Sequence, residues 1–576
     1  MFSFSHTNRT HILAALVLII MAVFVVRLFY LQVIRHDYYM SQADSEQIRQ
    51  RKLPAERGEI YAMDGVAPTK LVLNETVYTV WGDPQAVKSP EKAIETIKRV
   101  AGGEIVDNAR SLLDRKDTRY QVLAHQITSK QAQLIKKAEL YGIGFERGER
   151  RVYPEGQLAS QVLGFVDTEG EGQYGVEAEL NRQLNGTDGL IKTLADVRDV
   201  PLTIGKDNIN IPAKDGADIV LSIDRNVQSH AEETLAKSAQ DVGAKYGSML
   251  VMDPQTGRVL AMANTPTYDP SNISTISDYE QLNNRIVSRP YEPASVIKTL
   301  TMATGVDNGV MNPQSTYNNT DYITIDGSQI ENYTKGQTGR VTMQHTLNWS
   351  LNTGTVTMAQ WLGGGSINRK ARDTMYSYFH DKFHLGETSG IEVSGEQPGI
   401  LIPPSDPEGN AVRYANMTFG QGLTATPLQV ASAFSTVING GQYCRPTVLA
   451  GEMRSGEFVE ADQKTCSQVI QSSTSSTMRE MIYSARQEFY AGNDLAGFMV
   501  GGKTGTAEVA VAGGYDKESS EGTYIGFGGE KDGKPRYVIL VTFARKGVKI
   551  GGQSAIPAFT DMSNWMINYL KLRPKG

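Results

Sequence analysis

The sequence predicts an α+β protein, in which an antiparallel sheet flanked by helices follows a long N-terminal region and one membrane-length apolar helix. Three observations carry this. Residues 248–252 and 258–262, joined by the turn Pro254-Gln255-Thr256-Gly257, read as an antiparallel hairpin early in the second half of the chain. Further strands are expected near Lys503, over 523–528 and over 537–543, with helical stretches between the early and late strands. Residues 12–26 are uncharged and strongly apolar.

That apolar run resumes after Arg27 through Leu28-Phe29-Tyr30-Leu31-Gln32-Val33-Ile34. About 23 helical residues at roughly 1.5 Å each span a hydrocarbon core of ~30 Å, with Arg27 snorkelling towards an interface beside Phe29 and Tyr30. No small-x-small cleavage site precedes Arg35-His36-Asp37, which favours a retained single-pass anchor over a cleaved signal peptide. Arg9 and Arg35 on the two flanks leave orientation undecided by charge alone. The expected organisation is a tail over 1–11, the anchor over 12–34, an N-terminal domain over 35–215 and a C-terminal domain over 216–576. Residues 35–215 alternate polar helical stretches with short strands such as 76–81. Glu169-Gly170-Glu171-Gly172 marks a loop, and the turn at Lys214-Asp215-Gly216 introduces the apolar strand 218–224.

At 576 residues the chain exceeds one hydrophobic core, and about two or three domains are expected. A composition of 40% hydrophobic and 21% charged residues is that of globular proteins. The net charge of −6, with no basic tract or base-stacking module, argues against nucleic acid as a partner.

The chemistry resides in three ordered strings. Ser295-Val296-Ile297-Lys298 follows Tyr291-Glu292-Pro293-Ala294 and opens an apolar run suited to a buried helix beginning near Pro293. Serine and lysine three apart share a helix face, so their side chains can meet, and the helix dipole favours an alkoxide on the first turn. Lysine acts as a base only when partly neutral, as burial beside a second cation such as Lys503 would make it. Ser350-Leu351-Asn352 ends a predicted helix over 341–349 that breaks at Thr353-Gly354-Thr355; its hydroxyl can relay a proton and its amide can hold a peptide bond. Gly501-Gly502-Lys503-Thr504-Gly505-Thr506 reads as a strand whose missing side chains let another backbone lie against it, with threonine hydroxyls for a carboxylate. Together these are the parts of a serine acyl-transfer enzyme with a lysine base. Two other copies have simpler readings: Ser89-Pro90-Glu91-Lys92 as a helix N-cap, and Ser366-Ile367-Asn368 as a glycine turn before a capped helix.

The set Ser-x-x-Lys, Ser-x-Asn, Lys-Thr-Gly in this order resembles the penicillin-binding proteins. Arg57-Gly58 with Asp64 and Gly65, Arg151-Val152-Tyr153-Pro154-Glu155-Gly156, and Gly172-Gln173-Tyr174-Gly175-Val176-Glu177 resemble the three N-terminal motifs of the class B, monofunctional branch. The chain departs from the family where a second arginine usually separates Asp64 from Gly65, and at Ala294, where glycine is usual. Phe419-Gly420-Gln421-Gly422 resembles a further family segment and reads on its own as a glycine turn before a helix. The resemblance implies the serine β-lactamase and transpeptidase fold on a dimerisation-type pedestal, and a peptidoglycan D,D-transpeptidase that is acylated by β-lactams. By that resemblance Ser295 is the nucleophile and Lys298 its base. Ser350 and Lys503 deliver a proton, Asn352 holds the substrate amide, and Thr504, Gly505 and Thr506 bind the substrate. It also implies stem peptides as substrate, a bacterial membrane location with the catalytic body outside, and a membrane glycosyltransferase of the shape, elongation, division and sporulation family as partner. The Tyr291-Glu292-Pro293 lead-in leans towards division-type members. The alternatives are a D,D-carboxypeptidase or β-lactamase, in which water replaces the acceptor amine, and a β-lactam sensor or inactive scaffold.

No Rossmann glycines, P-loop or zinc string implies a cofactor, and an acyl-enzyme needs none. His380 and His384, four apart, lack a glutamate after the first and a third ligand, and are read as packed or solvated rather than metal-binding. Glu177-Ala178-Glu179-Leu180-Asn181 mimics a deacylating string of class A β-lactamases but precedes the nucleophile, and is read as a structural helix. Cys444 and Cys466 are the only cysteines and could pair outside the membrane.

Overall fold

The computed structural model describes residues 9–36, 48–194, 209–462, 466–511 and 514–575. The chain forms two compact units, one of residues 1–57 with 185–216 and one of residues 58–184 with 217–576.

The first unit carries the apolar helix, an α-helix over Arg9–Phe29 that widens into a π turn over Tyr30–Ile34. Its 24 residues His11–Ile34 are long and apolar enough to cross a membrane, and none of that stretch is buried by protein. The guanidiniums of Arg27 and Arg35 lie 5.6 and 5.9 Å from the Tyr30 ring centre, and Arg35 Nε donates to its hydroxyl at 3.0 Å. Most of the expected 1–11 tail lies outside the described residues. The same unit holds an antiparallel three-stranded sheet of Ile48–Leu53, Gly189–Leu194 and Ile209–Ile211.

In the second unit, five antiparallel strands form the sheet expected from the sequence: β1 Tyr246–Met252, β2 Val259–Thr265, β3 Phe498–Val511, β4 Gly514–Glu530 and β5 Pro535–Ala544, in the order β2-β1-β5-β4-β3. Strand alternation sorts β5 between two cores. Tyr537, Ile539, Val541 and Phe543 pack on helices α1 Arg225–Asp241 and α6 Ile556–Tyr569, whereas Val538 and Leu540 enter the larger core. That larger core also holds α2 Lys298–Asp307, α3 Asn352–Leu362, α4 Pro427–Ile438 and α5 Ser472–Tyr490. All twelve residues of α4 are buried, and Thr426 and Gln429 close its start as a capping box ahead of Pro427.

A second sheet joins upstream and downstream sequence, since Ile60–Asp64 runs parallel to Asp218–Asp224, which pairs antiparallel with Leu449–Arg454. The upstream motifs are structural here. Arg151 Nε donates to Glu177 Oε1 at 2.9 Å with both side chains buried, so the Glu177 string is a short helix, Gly175–Glu179, held by an ion pair. Where the family's second arginine is missing, Asp64 Oδ1 accepts from Asn226 Nδ2 at 2.7 Å and Gly65 N–H donates to Asp224 at 3.1 Å. Cys444 and Cys466 are disulfide-bonded. His380 Nε2 and His384 Nδ1 each lie 3.2 Å from a different oxygen of Glu387, with their rings against Tyr376 and Tyr443.

Candidate active site

Ser295 sits in a 3-10 turn, Ala294–Ile297, that leads directly into α2. Ala294 has φ +49°, in the left-handed region where glycine is unstrained, which gives a physical reason for the family's usual glycine. The turn is held from behind by the glycine-rich segment at 419–422. Ala294 N–H donates to Gly420 O at 3.1 Å, and Gly422 N–H donates to Glu292 Oε1 at 2.9 Å. A Cβ on Gly420 would lie 2.1 Å from the Ala294 carbonyl oxygen, so only glycine fits. Sequence reasoning read this segment as a turn before α4, which it is; its grip on the Ser295 turn is a long-range contact that local pattern does not reveal.

Lys298 is fully buried. Its Nζ donates to the Ser350 carbonyl at 2.6 Å and to Ser350 Oγ at 3.1 Å. The anticipated meeting of the Ser295 and Lys298 side chains is absent in this structure: among the described residues Ser295 Oγ has no hydrogen bond, and the ammonium is taken up by the Ser350 carbonyl. Burial first, and the Lys503 charge second, push the Lys298 pKa well below the ordinary lysine value. Burial lowers Lys503 from 10.5 to about 7. Among the described residues neither ammonium has a carboxylate partner; Lys503 Nζ donates to Thr504 O at 3.1 Å and lies 3.3 Å from Thr504 Oγ1.

The second motif differs from expectation in its local fold. Residues Gly339–Thr342 are a strand, the helix before the motif is only Met343–Asn348, and Ser350 turns the chain at φ +56°. Thr353-Gly354-Thr355 is not a break but the first turn of α3, and Gly354 lets that turn pack at 2.4 Å from Thr346 Cγ2 for a notional Cβ. Asn352 is held by a bond from its Nδ2 to Glu331 O at 2.8 Å.

The third motif lies on β3, an edge strand of the five-stranded sheet, as the glycine pattern predicts. A Cβ on Gly505 would stand 2.8 Å from Pro293 O and 3.2 Å from Val296 Cγ1, so this glycine lets β3 lie against the Ser295 turn. Gly502 likewise makes room for Tyr524, whose hydroxyl would be 2.4 Å from a Cβ there. Thr506 is exposed, and its Oγ1 accepts from Gly552 N–H at 2.8 Å. The fold thus brings Lys298, Ser350 and Lys503 together, and sets Gly505 beside the turn that carries Ser295. Buried partners that sequence reasoning missed are Asn319, Asn332 and Thr353, which are unremarkable in a polar stretch and meet only in three dimensions.

Comparison with known proteins agrees with this arrangement. Residues 247–564 match the model of the penicillin binding protein transpeptidase domain, and residues 52–221 that of the penicillin-binding protein dimerisation domain. PenA of Neisseria meningitidis, a probable peptidoglycan D,D-transpeptidase, is 29% identical over 561 residues, covering 96% of this chain and 92% of its own. Stage V sporulation protein D of Bacillus subtilis is 28% identical over 566 residues, covering 95% and 84%. The crystal structure of a peptidoglycan synthetase from Bifidobacterium adolescentis superposes with a TM-score of 0.73 at 25% identity, over 92% of this chain and 98% of that one. With residues 247–564, more than half of the chain, matched to the transpeptidase model, the chain belongs to the penicillin-binding protein transpeptidase family.

Proposed function

We propose that the protein is a class B, monofunctional member of this family: a peptidoglycan D,D-transpeptidase that cross-links stem peptides through a serine acyl-enzyme and releases D-alanine. The observation that carries the reading is Lys298, a buried ammonium with no carboxylate partner among the described residues, one helical turn from Ser295, facing a second cation and bonded to Ser350. Such a lysine is ready to give up its proton and accept another.

Ser295 Oγ attacks the carbonyl of the penultimate D-alanine while Lys298 takes its proton. The tetrahedral oxyanion is met by the backbone N–H groups of Ser295 and Thr506. Ser350, with Lys503 behind it, passes a proton to the departing D-alanine nitrogen as the C–N bond breaks. Asn352 holds the substrate amide, and Thr504, Gly505 and Thr506 receive the extended donor peptide on the open edge of β3. The amine of a neighbouring stem peptide then displaces Ser295. A β-lactam enters the same steps, but its leaving nitrogen stays tethered and blocks the acceptor. Residues 216–576 form the catalytic domain in this reading and residues 35–215 its pedestal. The apolar helix anchors the body to the bacterial membrane on the outer side, beside a partner glycosyltransferase of the shape, elongation, division and sporulation family.

The test is covalent labelling of the full chain by a fluorescent penicillin. A long-lived adduct on Ser295, abolished in Ser295→Ala, is expected; label that persists in that variant, or that maps to Ser89, refutes the assignment. N-terminal sequencing of the membrane-bound protein checks the anchor, which a mature start beyond residue 35 would rule out.

A further inference from the structure

Helix α3 begins at Asn352, two residues after the left-handed Ser350, and Leu351 at its N-cap position offers no capping side chain. The first N–H groups of a helix need acceptors, and a non-glycine residue at positive φ needs its surroundings to hold it. The first need is met by Asn332, which directly follows the hairpin of Tyr322–Ile325 and Ser328–Glu331. Asn332 Oδ1 accepts from Thr353 N–H at 3.0 Å, the bond an N-cap side chain would ordinarily make. Asn332 Nδ2 donates to Asn319 Oδ1 at 3.0 Å. Thr353 Oγ1 donates to Asn319 Oδ1 at 2.8 Å, lies 3.1 Å from Asn332 Oδ1, and shares a 2.9 Å bond with the Tyr317 hydroxyl. Asn319 Nδ2 in turn donates to Gln337 O at 2.6 Å. Asn319, Asn332 and Thr353 are each at most 2% exposed. Glu331, the neighbour of Asn332, supplies the carbonyl that receives Asn352 Nδ2.

We propose that Asn332 and Thr353 are positioning residues for acyl transfer: a helix cap supplied in trans that fixes the first turn of α3, and with it Ser350 and Asn352, opposite Lys298. This rests on the roles proposed above for those three residues. A buried amide network of this kind is costly to leave half-satisfied, so losing one member displaces the rest rather than leaving a neutral gap. The carbonyl that receives the Lys298 ammonium belongs to the same Ser350.

The experiment is stopped-flow acylation of the detergent-solubilised full chain by a fluorescent penicillin across pH, normalised to folded protein, with thermal unfolding in parallel. Asn332→Ala and Thr353→Val should each lower the second-order acylation constant at least about tenfold, the scale of one lost buried hydrogen bond, and Thr353→Ser should stay within about threefold of wild type. Displacing Ser350 admits water to Lys298, so the alkaline-rising limb of the profile should move to higher pH in the first two variants. Tyr537→Phe, which loses a buried hydroxyl bond to Ser563 on the other face of the sheet, measures destabilisation alone and should keep both constant and limb. Wild-type rates and an unmoved limb in Asn332→Ala and Thr353→Val, or an equal loss in Tyr537→Phe, overturn the proposal. Should Asn332→Ala and Thr353→Val fail to fold, Tyr317→Phe removes only the outer hydroxyl and is read the same way, with about a threefold fall expected. An unlabelled wild type, or a labelled Ser295→Ala, would instead count against the acyl-enzyme reading itself.

Discussion

Two buried cations flank the strand that carries Lys503, and the fold treats them in opposite ways. Arg486 on α5 has a fully buried side chain that binds Asp494 through Nε at 2.8 Å and Nη2 at 2.6 Å, and donates from Nη1 to the Tyr524 hydroxyl at 2.7 Å. Burial opposes its charge, but the Tyr524 oxygen and the Asp494 carboxylate outweigh burial and hold the guanidinium more firmly protonated than in water. Lys298 is buried as deeply, yet among the described residues it donates only to the carbonyl and hydroxyl of Ser350 and faces another cation. The arginine charge, permanent in any case, is compensated by a carboxylate, whereas the lysine charge, which can be lost, is left without one among the described residues. Depth alone therefore does not make a buried cation labile; burial of a titratable ammonium without a counter-charge does.

The largest effect expected from breaking this contrast is on the permanent charge. Asp494→Ala leaves Arg486 uncompensated in the interior and should cost ~3–5 kcal/mol in chemical denaturation. A loss under about 1 kcal/mol would mean that water or Tyr524 alone suffices for the guanidinium.

Next comes the labile charge. Arginine keeps a positive charge but does not give up its proton, so Lys298→Arg should slow acylation at least about 100-fold in stopped-flow measurements on folded protein. Lys503→Arg should fall less, roughly tenfold, since its proposed role needs charge more than proton exchange. Near-normal acylation by Lys298→Arg would remove the proposed base.

The smallest effect is a pH dependence of stability. Lys503 titrates near 7 in the folded protein against 10.5 ordinarily, so between those values the unfolded chain binds more protons and stability rises with pH. Lys298, lowered in the same direction, adds to the same slope. Lys503→Met should melt higher than wild type, on the order of a few °C, below pH ~7, with the gap closing towards pH ~10.5. A gap that widens with pH would mean that the ammonium is stabilised where it sits.

Much of the molecule was legible beforehand because it is written at short range. The Pro254-Gln255-Thr256-Gly257 turn between alternating strands becomes the hairpin β1-β2, and Gly501, Gly502 and Gly505 mark an edge strand that approaches other backbone. Ser89 stands immediately before the helix Pro90–Ala101 and Asn368 caps Arg369–Tyr376, so the two decoy strings were separable by local context. The helix expected over 341–349 starts two residues late, at Met343, because Gly339–Thr342 is recruited into a strand with Thr316–Asn319 that no local periodicity signals.

The sequence by itself determined which chemical groups are available and in what order. The spacing of Ser295 and Lys298, the glycine pattern around Lys503 and the length of the apolar helix are properties of neighbouring residues, and backbone geometry converts them directly into a turn, an edge and a span. Only the tertiary structure decided which groups meet. It set Lys298 on Ser350, wedged Gly420 behind Ala294, withheld a carboxylate from Lys298 while giving one to Arg486, and capped α3 with Asn332. Those choices depend on contacts between residues from eight to more than a hundred positions apart, and in a close-packed, low-dielectric interior such contacts set protonation and position together.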